Sequence, residues 1–135
     1  MKPEKLINIL VMEDNYGDFY LLKEYIEDCL EHVNIVNIER FKELIEIAHV
    51  IESSYDYIFL DMSLPDKSGE ELIKEVIQIA KSVPVIMLTG FSSDTFSKKA
   101  LDLGIKEYLL KDELSSSLLQ NKIFFNENIA LSANQ

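Results

Sequence analysis

Short uninterrupted apolar runs alternate along this chain with stretches in which apolar residues recur every three or four positions. The first run, LINILVM at 6–12, ends in Glu13 and Asp14 and predicts a strand buried on both faces. From Tyr16 to Glu31 the residues Phe19, Leu22, Tyr25, Ile26 and Cys29 fall at helical spacing, with Lys23 and Glu27 available for a polar face. The alternation then continues. IVNIER at 35–40 is strand-like by its β-branched content, and 42–53 is helical through Leu44, Ile45, Ala48 and Ile51. DYIFLD at 56–61 is the next buried strand, and the turn residues Pro65, Asp66, Ser68 and Gly69 precede a helix running to about Lys81. VPVIMLTG at 83–90 predicts a fourth strand, 93–103 a helix stopped by Gly104, IKEYLLK at 105–111 a fifth strand, and 113–130 a last helix.

Five strands alternating with five helices imply an α/β fold, a parallel sheet covered on both faces and joined by right-handed crossovers. The polar residues that end strands one, three and four meet in one crevice at the carboxyl edge if the strand order is 2-1-3-4-5, so that order is expected. No repeat, low-complexity tract or linker interrupts the pattern, and 1–130 is read as a single domain with 131–135 as a disordered tail.

With 135 residues, 47% hydrophobic and 27% charged, the chain has the composition of an ordinary globular domain. Its formal net charge of -11 repels a nucleic-acid backbone, so no direct nucleic-acid contact is expected, while an acidic surface suits a divalent cation. Cys29 has no partner for a disulfide, and no basic or histidine neighbour suggests a reactive thiol. No apolar stretch is long enough to span a bilayer and no export signal is apparent, so a cytoplasmic location without membrane contact is expected. The letters KDEL at 111–114 are internal and cannot serve as a retention signal.

The chemistry lies at the strand ends. Glu13 and Asp14 follow strand one, Asp61 ends strand three, Thr89 ends strand four and Lys111 ends strand five. Each alone reads as a solvated loop charge or a helix cap, but together they form a pattern that scattered surface charge does not produce. Three converging carboxylates repel one another unless a cation joins them, and Mg²⁺ takes such hard oxygen ligands. Asp14 and Asp61 are the expected direct ligands, with Glu13 partly through water and the backbone carbonyl of Ser63 as a further ligand. Asp61 can then attack phosphorus as a carboxylate nucleophile. Lys111 and Thr89 would meet the charged phosphoryl oxygens.

This set resembles the receiver domains of two-component response regulators, from about Leu6 to the last helix. ILVMEDN carries the acidic pair, IFLDMSLPDKSGEEL the phospho-accepting aspartate with its downstream Pro and Gly, VIMLTG the hydroxyl residue, and YLLKD the aromatic and lysine. The resemblance implies a flavodoxin-like doubly wound (βα)5 fold and Mg²⁺-dependent phosphoryl transfer to Asp61 from a histidine kinase or histidine phosphotransfer protein. It implies a signalling domain that is not an enzyme on an external substrate, although such domains catalyse their own phosphorylation and dephosphorylation. It also makes Thr89 and Tyr108 the switch pair, acting on the face built by the fourth helix, fifth strand and fifth helix. That face is a candidate dimer surface, and a downstream protein or covalently linked output domain is the expected recipient of the signal. For Tyr108 an ordinary edge-strand aromatic is an equally open reading.

Two features depart from the family. Asp112 replaces the proline that commonly follows the lysine, which removes any X-Pro bond from the loop that aims Lys111. Ser63 and Phe91 occupy the positions that tune dephosphorylation, and a bulky Phe91 could hinder an attacking water. A haloacid-dehalogenase-like phosphohydrolase would carry an acid/base where Ser63 stands, and a flavodoxin-like electron carrier would need a phosphate cradle where EDNYGD stands. The stronger competitor is a non-phosphorylated pseudo-receiver acting as an interaction module. His32 and His49 lack ligand spacing, and Lys98 with Lys99 reads as a solvated helix face. The long final segment is compatible with a connecting helix to a further module.

Overall fold

The computed structural model describes residues 5–91 and 93–127. The expected alternation is present. β1 (Ile7–Met12) leads to α1 (Tyr16–Cys29), β2 (Val33–Ile38), α2 (Phe41–Glu46), a 3-10 turn at Ala48–Val50, α3 (Ile51–Ser54) and β3 (Tyr57–Asp61). There follow α4 (Gly69–Ala80), β4 (Val85–Thr89), α5 (Asp94–Asp102), β5 (Glu107–Leu110), a 3-10 turn at Lys111–Glu113 and α6 (Ser116–Lys122). All four strand pairings are parallel and the order is β2-β1-β3-β4-β5, as the crevice argument required.

Successive strand side chains point to opposite faces, so each apolar run supplies two cores. Leu10, Met12, Ile58, Leu60, Val85 and Met87 pack on the side of α2, α4 and α5. Ile9, Val11, Phe59, Ile86, Leu88 and Leu109 pack on the side of α1 and α6. Full burial of a side chain of this size contributes about 1.5–3 kcal/mol, which explains why the central strands are apolar up to their ends apart from Asn8 near the start of β1.

Register sets the site. Met12 pairs with Leu60, so Glu13 and Asp61 come level; Asp61 pairs with Leu88 and Thr89 with Leu110, so Thr89 and then Lys111 follow one step further along the edge. Glu13 and Asp61 are also two residues beyond Val11 and Phe59, in phase with the face that α1 covers.

Several boundaries differ from the sequence reading. β2 occupies 33–38 because its ladder with β1 runs from Val33 to Ile38; Glu39 and Arg40 instead donate their backbone N–H groups to Glu43 Oε1 at the start of α2. The helix expected over 42–53 breaks at Ile47, within a stretch whose β-branched Ile45, Ile47, Val50 and Ile51 are weak helix formers. Gly104 does stop α5: its φ is 116°, and an added Cβ would lie 3.1 Å from Ile77.

The largest correction concerns the last helix, which ends at Lys122 rather than continuing toward 130. Ile123 and Phe124 both donate to the Leu119 carbonyl, and the turn tucks Phe124 fully out of solvent. Its ring packs edge-on to Tyr57 at 5.2 Å between centroids and lies 6.2 Å from Phe59. Burying an aromatic side chain outweighs another helical turn through the weak helix former Asn126. A connecting helix through 123–127 is thereby excluded; 128–130 and the tail 131–135 lie outside the described residues.

Cys29 is buried and donates its thiol to the Ser116 carbonyl, tying α1 to α6. Burial, with a smaller contribution from the charge of Asp28, pushes the thiol pKa up to about 11. Because the shift favours the protonated form, the folded thiol remains largely unionised below that pH. Cys29 is expected to resist a disulfide reagent at pH 8 and to react once urea unfolds the chain; equal rates in the two conditions would contradict this.

Candidate functional site

The loop after β1 is shaped by backbone needs. Asn15 caps α1 by accepting the Asp18 N–H at 2.9 Å, and its own N–H donates to Glu13 Oε2 at 3.1 Å. Asn37, from β2, donates its side-chain amide to the carbonyls of Val11 and Glu13. These contacts fix Glu13 inward, where it is 2% exposed, while Asp14 stays in solvent. Asp61 and Thr89 are buried at the ends of β3 and β4.

Glu13, Asp14 and Asp61 each offer a carboxylate oxygen within 4.8 Å of the others, and they form the one such acidic group among the described residues. Opposite them, Lys111 Nζ lies 2.8 Å from Glu13 Oε1 and 3.3 Å from Asp61 Oδ2. The Glu13 contact is an ion pair by distance, but Glu13 Oε1 receives no correctly directed hydrogen bond. Asp61 Oδ1 accepts the Ser63 N–H at 3.1 Å, which turns the loop after β3 around the carboxylate.

The electrostatics are unbalanced. Burial pushes the Glu13 pKa up to about 7, aided by Asp61, against the pull of Lys111 and the Asn15 N–H. Burial also disfavours the Lys111 ammonium, yet the surrounding carboxylates more than offset this and hold its pKa above the ordinary lysine value.

Thus Glu13, Asp14, Asp61 and Lys111 converge as expected, with Thr89 at the same edge. Thr89 Oγ1 is 3.5 Å from the Phe91 N–H, and the Phe91 carbonyl accepts the Tyr108 hydroxyl at 3.3 Å. The Phe91 side chain is largely in solvent. Lys111 opens a 3-10 turn rather than ending a strand, and no cis peptide occurs among the described residues, so the loop carrying Asp112 passes the site in the trans form.

Asp18 is the residue that the sequence reading missed. Its Oδ2 accepts a hydrogen bond from Lys111 at 2.8 Å. The available signal was its place in the first turn of α1, directly after the acidic loop that follows β1.

Residues 9–123 match the family described as "Response regulator receiver domain". The transcriptional regulatory protein YdfI of Bacillus subtilis is 32% identical over 110 residues, covering 82% of this chain and 50% of YdfI. CiaR of Streptococcus pneumoniae, also a transcriptional regulatory protein, is 30% identical over 131 residues, covering 91% of this chain and 56% of CiaR. A solved response regulator receiver domain protein from Clostridium thermocellum superposes with a TM-score of 0.74 at 26% identity, covering 89% of this chain and 93% of that one.

The fold and its acidic crevice are those of a signalling receiver. This chain belongs to the response regulator receiver family of two-component systems. It spans about half the length of the curated relatives it matches.

Proposed function

We propose that Asp61 accepts a phosphoryl group from the phosphohistidine of a histidine kinase or histidine phosphotransfer protein. The observation that carries this reading is the convergence of Lys111 and two further carboxylates on Asp61, a buried carboxylate at the end of a central strand. A carboxylate oxygen of Asp61 forms the new bond to phosphorus, the phosphorus–nitrogen bond breaks, and the donor imidazole leaves with the electron pair.

The acidic group fits Mg²⁺. Mg²⁺ takes hard oxygen ligands, and the three carboxylates offer oxygens within 4.8 Å of one another. Glu13 Oε1, buried and without a hydrogen-bond partner, is a carboxylate oxygen that one lysine leaves unsatisfied. Asp14, Asp61 and the Ser63 carbonyl would hold the ion, with Glu13 acting partly through water. When bound, the ion neutralises charge on the phosphoryl oxygens. Lys111 supplies the second positive charge and the Thr89 hydroxyl donates to a phosphoryl oxygen.

Release of the Phe91 carbonyl by Tyr108, as Thr89 turns to the phosphoryl group, is the proposed switch. It would alter the face of α5, β5 and α6, where a dimer partner, a downstream protein or a linked output domain would read the signal. No helix among the described residues is long and apolar enough to cross a membrane, in keeping with a cytoplasmic role. The pseudo-receiver reading is disfavoured because the expected residue type stands at each site position and Glu13, Asp14, Asp61 and Lys111 lie together.

Incubation with acetyl phosphate and Mg²⁺ should add the mass of one phosphoryl group to the chain, and Asp61→Asn should remove that gain. Labelling of Asp61→Asn at the wild-type level would refute the assignment.

A further inference from the structure

We infer that Asp18 is a positioning residue for Lys111, holding the ammonium partly away from Asp61 in the unphosphorylated chain and thereby slowing phosphorylation. The inference rests on the reading of Asp61 as phosphoacceptor.

Lys111 has three carboxylate neighbours, and they are not equivalent. The contact with Asp18 is a directed hydrogen bond at 2.8 Å. The contact with Asp61 is longer, at 3.3 Å, and the one with Glu13 lacks hydrogen-bond direction. Among the three, Asp18 therefore makes the best-formed interaction although it lies furthest from the chemistry in role. It is absent from the oxygen cluster of Glu13, Asp14 and Asp61, so it is placed to act on the lysine rather than to ligate a cation.

The lysine has room to be pulled. A cavity of roughly 220 Å³ opens beside it, lined in part by Asp18, Leu21, Tyr25 and Leu114. Packing does not confine the ammonium on that side, so the carboxylates decide where it sits. The backbone of Asp18 is held in place, because its N–H is bound by the Asn15 cap in the first turn of α1.

An approaching phosphoryl group must compete with Asp18 for the lysine, and it also meets one more negative charge. Both effects oppose transfer. The Asp18 side chain is 41% exposed, so the contribution is that of a partly solvated ion pair and is weakened by salt.

The test compares phosphorylation rates of the full chain by acetyl phosphate at fixed Mg²⁺. Asp18→Asn, which keeps the side-chain shape, should react about two- to fivefold faster than wild type, with the gain shrinking as salt rises. Asp18→Glu, which keeps the charge, should restore the slower rate. In a Lys111→Ala background the Asp18→Asn gain should largely disappear, which a merely structural role or general repulsion would not produce. An unchanged or slower Asp18→Asn rate, or an undiminished gain without Lys111, overturns the inference while leaving Asp61 as acceptor. A wild-type chain that takes no phosphoryl group overturns the Asp61 reading and this inference with it.

Discussion

Phe124→Ala is expected to lower the unfolding free energy by about 3–5 kcal/mol, measured by urea denaturation, because it empties a fully buried aromatic site beneath the sheet. The ring closes the core formed by Tyr57, Phe59 and α6, and the turn after Lys122 exists to deliver it there. Its neighbour provides the control. Phe125 is 61% exposed, so Phe125→Ala should leave the midpoint nearly unchanged. Equal losses at the two positions would show that the chain does not turn as described.

Removing divalent cations is expected to slow phosphorylation of Asp61 by about a hundredfold, with activity restored by Mg²⁺. Without the ion, three carboxylates face the incoming phosphoryl group with Lys111 as the nearby cation. Asp14→Ala should reproduce much of the loss, since Asp14 is solvent-exposed and its removal leaves the core intact. An undiminished rate in excess chelator would remove the metal from the mechanism.

The sheet was readable because burial on both faces forces uninterrupted apolar runs, and a single polar residue at the end of such a run marks the carboxyl edge. Asp61, Glu13 and Thr89 were found in that way. Asp18 was not, because it lies on a helix whose other polar residues face solvent, and its pairing with Lys111 joins residues 93 positions apart. The break at Ile47 and the early end of α6 were hidden for a related reason. Helical spacing through 42–53 and 113–130 records where apolar residues fall, whereas the path of the backbone there is set by tertiary burial of Ile51 and Phe124.

The most direct measurement of the central claim locates the modified residue chemically. After incubation with acetyl phosphate and Mg²⁺, borohydride reduces an aspartyl phosphate to homoserine, and peptide mapping reads the position. Homoserine at position 61, dependent on both phosphodonor and Mg²⁺, is the predicted result. Homoserine at another aspartate with position 61 unmodified, or none at all, would contradict the account.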